Sequence, residues 1–345
     1  MKKLLIFIAS CLAMVIWFLV FLGSAQTIST FDVPGATITR PAAINDRGLI
    51  VGNSDLGGFV RDYRGNITVL PYIPTDINSE GDIVGYLNTQ LFVDGHAYSF
   101  PFDVTLISQG LRTFQINDDR IISGFTFSDA DILGVTVDPS FNFSTFQLPD
   151  DPVYGTLYPV PTALSQSNVI VGNTWPVDVI PDEGFIRDAQ ANVTIFAAVP
   201  PIDPNDCAVP STDTYPVGIS NLGYIAGVAF ECFDPTGFIR DPQGNITLFP
   251  ASDVAAMNDA GTTVGMLSDT EAFFRYLNGY TLTFPVPGRV TAINNRQEVV
   301  GYFSDSTGVH GYVLQNWCPP LRRCWYVDDP PPAPRSARTF ERREF

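Results

Sequence analysis

A nine-residue phrase that returns seven times in phase constrains this chain's fold more than any other feature. It reads INDRGLIVG from Ile44, INSEGDIVG from Ile77, INDDRIISG from Ile116 and LSQSNVIVG from Leu164. It continues as ISNLGYIAG from Ile219, MNDAGTTVG from Met257 and INNRQEVVG from Ile293. Each copy opens on an aliphatic residue or Met, continues with Asn or Ser and closes on glycine, at Gly52, Gly85, Gly124, Gly172, Gly227, Gly265 and Gly301. Physically the phrase is a β-hairpin. The polar middle turns the chain, because Asn and Asp bond back to their own backbone and Gly accepts positive φ. A short β-branched strand follows, and the closing Gly predicts a close backbone approach or a bulge.

A second phrase follows most copies. GFVRDYRGNITVLP from Gly58 is matched by GFIRDAQANVTIFA from Gly184 and GFIRDPQGNITLFP from Gly237, with looser versions at Phe273 and Leu91. Apolar residues, Arg-Asp, a Gly/Asn turn and an alternating run make another hairpin. Two hairpins per repeat give four strands, and repeat starts spaced 33, 39, 48, 55, 38 and 36 residues apart bracket the period of propeller blades. The seventh repeat stops without its fourth strand, while TISTFDVP (Thr27–Pro34) is a spare strand before the first. The predicted fold is therefore all-β, a seven-bladed propeller of four-stranded antiparallel blades closed by the N-terminal strand in the last blade. A linear solenoid is the alternative, but it would leave both ends needing caps. Because the Arg-Asp pairs (Arg61-Asp62, Arg187-Asp188, Arg240-Asp241) recur blade after blade, their expected role is structural: Asp opens the turn and Arg bridges blades.

The repeats also resemble a known family. TFDVPGA at Thr30–Ala36, INDRGLIVG at Ile44–Gly52 and VHGYVL at Val309–Leu314 are similar to the phrases of the HAF-repeat family of exported bacterial proteins. The likeness covers nearly all of Gln26–Trp317, although the family's His-Ala-Phe triplet stands only as His310-Gly311-Tyr312. The resemblance implies export and a repeat scaffold. It brings no activity and no residue roles.

Outside the repeats, residues 1–25 read as an export signal: Lys2 and Lys3 precede an apolar run from Leu4 to Leu22, and Gly23-Ser24-Ala25 offers small residues for cleavage. An uncleaved anchor is the rival reading, and lipidation at Cys11 a third. The expected location is secreted, periplasmic or at the cell surface, with no membrane association beyond that segment. The formal charge is −17, and losing residues 1–25 removes Lys2 and Lys3, the only lysines, and no acid, leaving −19. Such a surface repels nucleic acid. The remaining cysteines, Cys207, Cys232, Cys318 and Cys324, suggest disulfides in an exported chain. Zinc is the weaker reading, with no CxxC pair and only His96 and His310. Residues 318–345, rich in Pro and Arg, form a tail with little to bury and are expected to be mobile from Asp328.

In a propeller the turns within the two hairpins share one face, and the other connections share the opposite one. Length variation falls in the second class: Asp150–Pro161, Asn173–Gly184, Ala197–Gly218 and Val228–Gly237. These long connections cluster over blades three to five, and loops on a rigid scaffold are the usual place for binding. Cys207 and Cys232 fall on that face in adjacent connections, which suggests the pairs Cys207–Cys232 and Cys318–Cys324. The candidate ligand-binding residues there are Asp150, Asp151, Tyr154, Tyr158, Trp175, Asp178, Asp182, Glu183, Asp206, Tyr215, Glu231 and Asp234, with Asp203 and Asp213 beside them. Aromatic faces stack on a sugar or peptide while carboxylates hydrogen-bond it or hold Ca²⁺. The competing reading is that the acids solubilise the loops and the rings pack them down. No D-x-D-x-D-G spacing supports calcium, and no cofactor is expected. With two histidines, no nucleophile elbow and no HExxH, no catalytic residue is assigned. The leading expectation is a non-enzymatic, monomeric scaffold binding a glycan, peptide or protein. A carbohydrate-active hydrolase or lyase using paired carboxylates, and a structural envelope or matrix component, are the alternatives.

Overall fold

The computed structural model describes residues 27–101, 114–127, 131–152, 155–176, 182–199, 212–232 and 234–315. Residues 1–25, read above as an export signal, and the tail from residue 318 lie outside these residues. Every element is a strand. The first, β1 (Thr27–Phe31), precedes blade 1, which is β2 (Thr39–Ile44), β3 (Ile50–Ser54), β4 (Gly57–Arg61) and β5 (Ile67–Leu70). Blade 2 is β6 (Ile73–Ile77), β7 (Ile83–Leu87), β8 (Gln90–Val93) and β9 (His96–Ser99); blade 3 is β10 (Phe114–Ile116), β11 (Ile122–Phe127), β12 (Ile132–Val137) and β13 (Phe143–Phe146). Blade 4 is β14 (Leu157–Leu164), β15 (Ile170–Pro176), β16 (Gly184–Arg187) and β17 (Val193–Phe196); blade 5 is β18 (Thr212–Ile219), β19 (Ile225–Glu231), β20 (Asp234–Arg240) and β21 (Ile246–Phe249). Blade 6 is β22 (Asp253–Met257), β23 (Thr263–Ser268), β24 (Glu271–Arg275) and β25 (Thr281–Pro285). Blade 7 takes β26 (Arg289–Ile293), β27 (Val299–Ser304) and β28 (Val309–Gln315) and completes its sheet with β1, in the order β1-β28-β27-β26. The chain is a seven-bladed β-propeller whose first strand closes the ring. Thr27 faces Gln315 and Phe31 faces Gly311 across that seam.

The core lies between blades, where facing sheets interdigitate. Val33, Ile44, Ile50 and Phe59 of the first blade and its approach pack on Ala292, Val300 and Val313 of the seventh. The closing glycines are forced by backbone approach. A Cβ at Gly52 would stand 2.2 Å from the Arg40 carbonyl, and one at Gly301 2.0 Å from that of Arg289. In six blades the inner strand bulges opposite this point, as between Pro41 and Ala43 or Val290 and Ala292. The anticipated close approach and the bulge are both present.

The asparagine that opens the phrase has two tasks. Its Oδ1 accepts from its own turn, as when Arg47 and Leu49 N–H donate to Asn45. Its Nδ2 donates to the carbonyl of the next blade: Asn45 to Asn78, Asn78 to Asn117, Asn117 to Ser165, Asn258 to Asn294, and Asn294 back to Asn45. These side chains are buried, so each bond satisfies groups that would otherwise be stranded. Where the phrase has Ser, in blades 4 and 5, the side chain is too short. The Asn221 N–H donating to the Asp259 carbonyl at 3.1 Å serves instead between blades 5 and 6.

The Arg-Asp pairs act between and within blades as anticipated. Arg61, Arg187 and Arg240 lay their guanidinium groups over Phe31, Phe146 and Phe196 of the preceding blade's outer strand at 4.8, 4.8 and 5.1 Å. Asp62, Asp188 and Asp241 each accept from backbone and side chain of the Asn four residues on. Asn66, Asn192 and Asn245 thereby close these turns.

His310 latches the closing seam. Its Nδ1 lies 2.9 Å from the Asp32 carboxylate, just beyond β1, and its Nε2 lies 2.9 Å from Thr307 Oγ1 and 3.1 Å from Asp305. The bonds to Asp32, foremost, and to Asp305 raise the imidazole above its ordinary value. The Thr307 hydroxyl first, and His310 among the rest, hold Asp305 down at about 2. A raised histidine contributes stability that is complete below its unfolded value, about 6.5, and lost as pH rises through the folded value. The depressed Asp305 contributes above its unfolded value and loses this only as pH falls towards 2. Wild type is therefore expected to melt higher than His310→Asn at pH 5, with the gap closing by pH 9. A gap independent of pH would show that the imidazole acts by packing alone.

Candidate functional site

The central channel opens on two unlike mouths. On the hairpin-turn face it is narrow, a space of about 180 Å³. It is rimmed by the residue that follows the opening Asn or Ser in six blades: Asp46, Ser79, Asp118, Gln166, Asp259 and Asn295. The groups bond to one another: Asn295 Nδ2 donates to Asp46 and Asp259 at 2.9 Å each, and Gln166 accepts from the Asp118 N–H. Burial, then the nearby Asp46 and Asp118, push the Asp259 carboxyl up against the pull of Asn295. This rim is a tie between blades, its polar groups already engaged.

On the opposite face the channel widens into a cavity of about 440 Å³ set towards blades 1, 2, 6 and 7. Arg40, Asn53, Tyr86, Asp253, Arg289 and Tyr302 line it. Their placement follows from the bulges. The residue before each partner of a closing Gly is Arg40, Ile73, Val160, Tyr215, Asp253 or Arg289, so one repeat position carries unlike side chains to the mouth. The residue after each Gly supplies Asn53, Tyr86 and Tyr302. Arg40 lies over the Tyr302 ring at 5.5 Å, Tyr302 faces Arg289 across the sheet, and Arg289 reaches Asp253 at 3.4 Å.

None of the sequence-predicted residues lines this cavity, although they share its face. They gather instead over blades 4 and 5. Tyr215 Oη donates to Asp182 at 2.6 Å, and the Asp182 N–H donates to Asp213 at 3.0 Å. Burial chiefly, and Asp213 after it, push the Asp182 carboxyl up while Tyr215 pulls it down. Burial and Asp151 raise Glu183, whose N–H donates to Thr174. Tyr158 faces Trp175 across β14 and β15, and the 46%-exposed Trp175 ring stands edge-on to Phe127. Asp150 is exposed, and Glu231 and Asp234 form an exposed cross-strand pair. Tyr154, Asp178, Asp203, Asp206, Cys207, Cys318 and Cys324 lie outside the described residues; Cys232 occupies the β19–β20 turn with φ 53°. Among the described residues no group of three or more His, Cys, Asp or Glu is arranged to hold a metal ion.

Two expectations about loops are corrected. Val228–Gly237 is almost wholly strand, because β19 and β20 stay paired without a break from Val228 and Gly237 out to Glu231 and Asp234. Likewise Tyr158, Trp175 and Tyr215 stand on strands. The long connections lie over blades 3–5, whereas the cavity's residues sit on the first and second strands of blades 1, 2, 6 and 7. Alignment of the copies on their closing Gly carries the missed signal: twelve positions earlier stand Arg, Ile, Val, Tyr, Asp and Arg in six copies of an otherwise uniform scaffold.

No protein-family model matches the chain, and no curated protein matches it in sequence. Solved structures share its shape. A streptogramin B lyase structure superposes with a TM-score of 0.51 at 13% identity, covering 84% of this chain and 98% of that one. The AfRom2 CNH domain gives 0.48 at 10% identity, covering 86% and 100%. A calcium-binding protein, regucalcin, from Agrobacterium tumefaciens gives 0.39 at 13% identity, covering 74% and 94%. At these identities the likeness concerns the propeller fold alone.

Proposed function

We propose that the protein is an exported, non-enzymatic propeller of the HAF-repeat type that binds a glycan, peptide or protein ligand on the face opposite its hairpin turns. The observation that carries this reading is the cavity on that face, lined by unlike polar and aromatic side chains at positions where the scaffold permits variation. Pockets of a few hundred Å³ with convergent polar groups are the usual form of small-ligand sites. Both histidines stand elsewhere: His96 opens an outer strand and His310 is held in the closing seam. Disulfides Cys207–Cys232 and Cys318–Cys324 belong to the same reading, as does a monomeric state. Purified protein screened on glycan and peptide arrays, with and without EDTA, is expected to retain a ligand unchanged and independently of divalent metal. Capture of nothing would favour a structural component instead.

A second reading rests on the carboxylates of blades 4 and 5. Asp182 and Glu183 are both raised by burial, a property of general acids. It predicts turnover of a glycan that Asp182→Asn abolishes.

A further inference from the structure

We infer that the cavity of blades 1, 2, 6 and 7 recognises a carboxylate-bearing saccharide, with Arg40 and Arg289 as its anion-binding pair. The inference rests on the binding reading above and specifies its ligand class. The protein carries a formal charge of −17, yet two arginines converge at this mouth within one tyrosine of each other. Among the described residues the Arg40 guanidinium forms no ion pair and no hydrogen bond; it lies over the face of Tyr302. Arg289 has only a long ion pair with Asp253 at 3.4 Å, and its side chain is 66% exposed. Two neighbouring cations, of which only Arg289 reaches a carboxylate, leave net positive charge inside a concave site, where field lines concentrate. A planar guanidinium is suited to the two oxygens of a carboxylate.

The remaining lining fits sugar. Tyr302 offers an aromatic ring already oriented by Arg40, and the Asn53 amide, with no side-chain partner among the described residues, can donate to and accept from a hydroxyl. The cavity's polarity is also opposite to that of the other mouth, where Asp46, Asp118 and Asp259 gather. An anionic ligand is therefore drawn to one end of the channel only.

Titration calorimetry with the full-length protein tests this, using a short oligouronide and the same oligomer with its carboxylates reduced to alcohols. The oligouronide is expected to bind and its reduced form to bind at least about tenfold more weakly, since a hydrogen bond to a charged group contributes roughly 1.5–3 kcal/mol. Arg40→Ala and Arg289→Ala should each weaken the oligouronide by a similar factor, Arg→Lys should recover part of it, and affinity should fall with added salt. Melting temperatures of the variants check that the fold is intact. Equal binding of both oligomers, or oligouronide affinity indifferent to both arginines, overturns the inference. Failure of the oligouronide while the arrays reveal a neutral glycan or a peptide overturns it too, but leaves the binding function standing. An oligouronide that binds and is then cleaved, with Asp182→Asn stopping the cleavage, would support the ligand class and replace the non-enzymatic reading.

Discussion

Deletion of residues 27–34 is expected to abolish cooperative folding. The loss removes the five-residue ladder with β28, the edge-on contact of Phe31 with Phe59 at 6.1 Å and the ring beneath Arg61. It also removes Val33, which is wholly buried. Burying such side chains and pairing such a strand contributes about 5 kcal/mol or more, comparable to the whole stability of an ordinary domain. The deletion also exposes β28 as a raw edge, so aggregation should accompany it. A circular permutant separates the strand's presence from its position. Starting at residue 35 and carrying residues 27–34 after residue 315 through a short Gly-rich turn, it should fold and melt near wild type, because Thr27 and Gln315 already face each other. Near-UV circular dichroism with thermal scans reads both. A well-folded deletion would mean that the ring does not depend on its seam.

The second large effect is expected at Gly301. Alanine there would place Cβ 2.0 Å from the Arg289 carbonyl and 2.5 Å from Tyr312 Oη. Both neighbours are fixed: the carbonyl belongs to an inner strand, and the Tyr312 hydroxyl donates to that same oxygen. Opening the sheet to admit a methyl group should cost about 3 kcal/mol or more, lowering Tm by about 6 °C or more. Gly279→Ala is the control. It has nothing within 4 Å, so only its φ of +84° resists substitution, at a cost of about 1–2 kcal/mol. Equal effects at the two positions would show that close packing of inner strands is not what fixes the closing glycine.

The legible parts of this structure are those the chain states more than once. Blade number, strand number and the closing role of Thr27–Pro34 follow from phase and from one unmatched strand at each end. Asp62, Asp188 and Asp241 could be assigned to turns because a reacting group does not recur blade after blade. The asparagine ties were hidden for a different reason: the turn accounts for Asn45 or Asn294 completely, and their second bond crosses to a neighbour 33 or 249 residues away. The cavity is hidden from a reading by loop length because no long loop builds it. Arg40, Asp253 and Arg289 sit instead at one strand position, and only the bulge beside it turns that position to the mouth. Asp182 with Tyr215 shows the converse: loop composition located a real cluster but not its internal hydrogen bonding.

The seam also sets how the molecule answers force. Thr27 and Gln315 lie opposite each other at the same end of an antiparallel pair, in the outer half of one blade. Tension drawn between those two residues loads the rungs one after another, as in unzipping, rather than all together as in shear. The closed ring is thus weak against a pull applied between those two residues, and an attachment on one side of the seam alone would spare it that load.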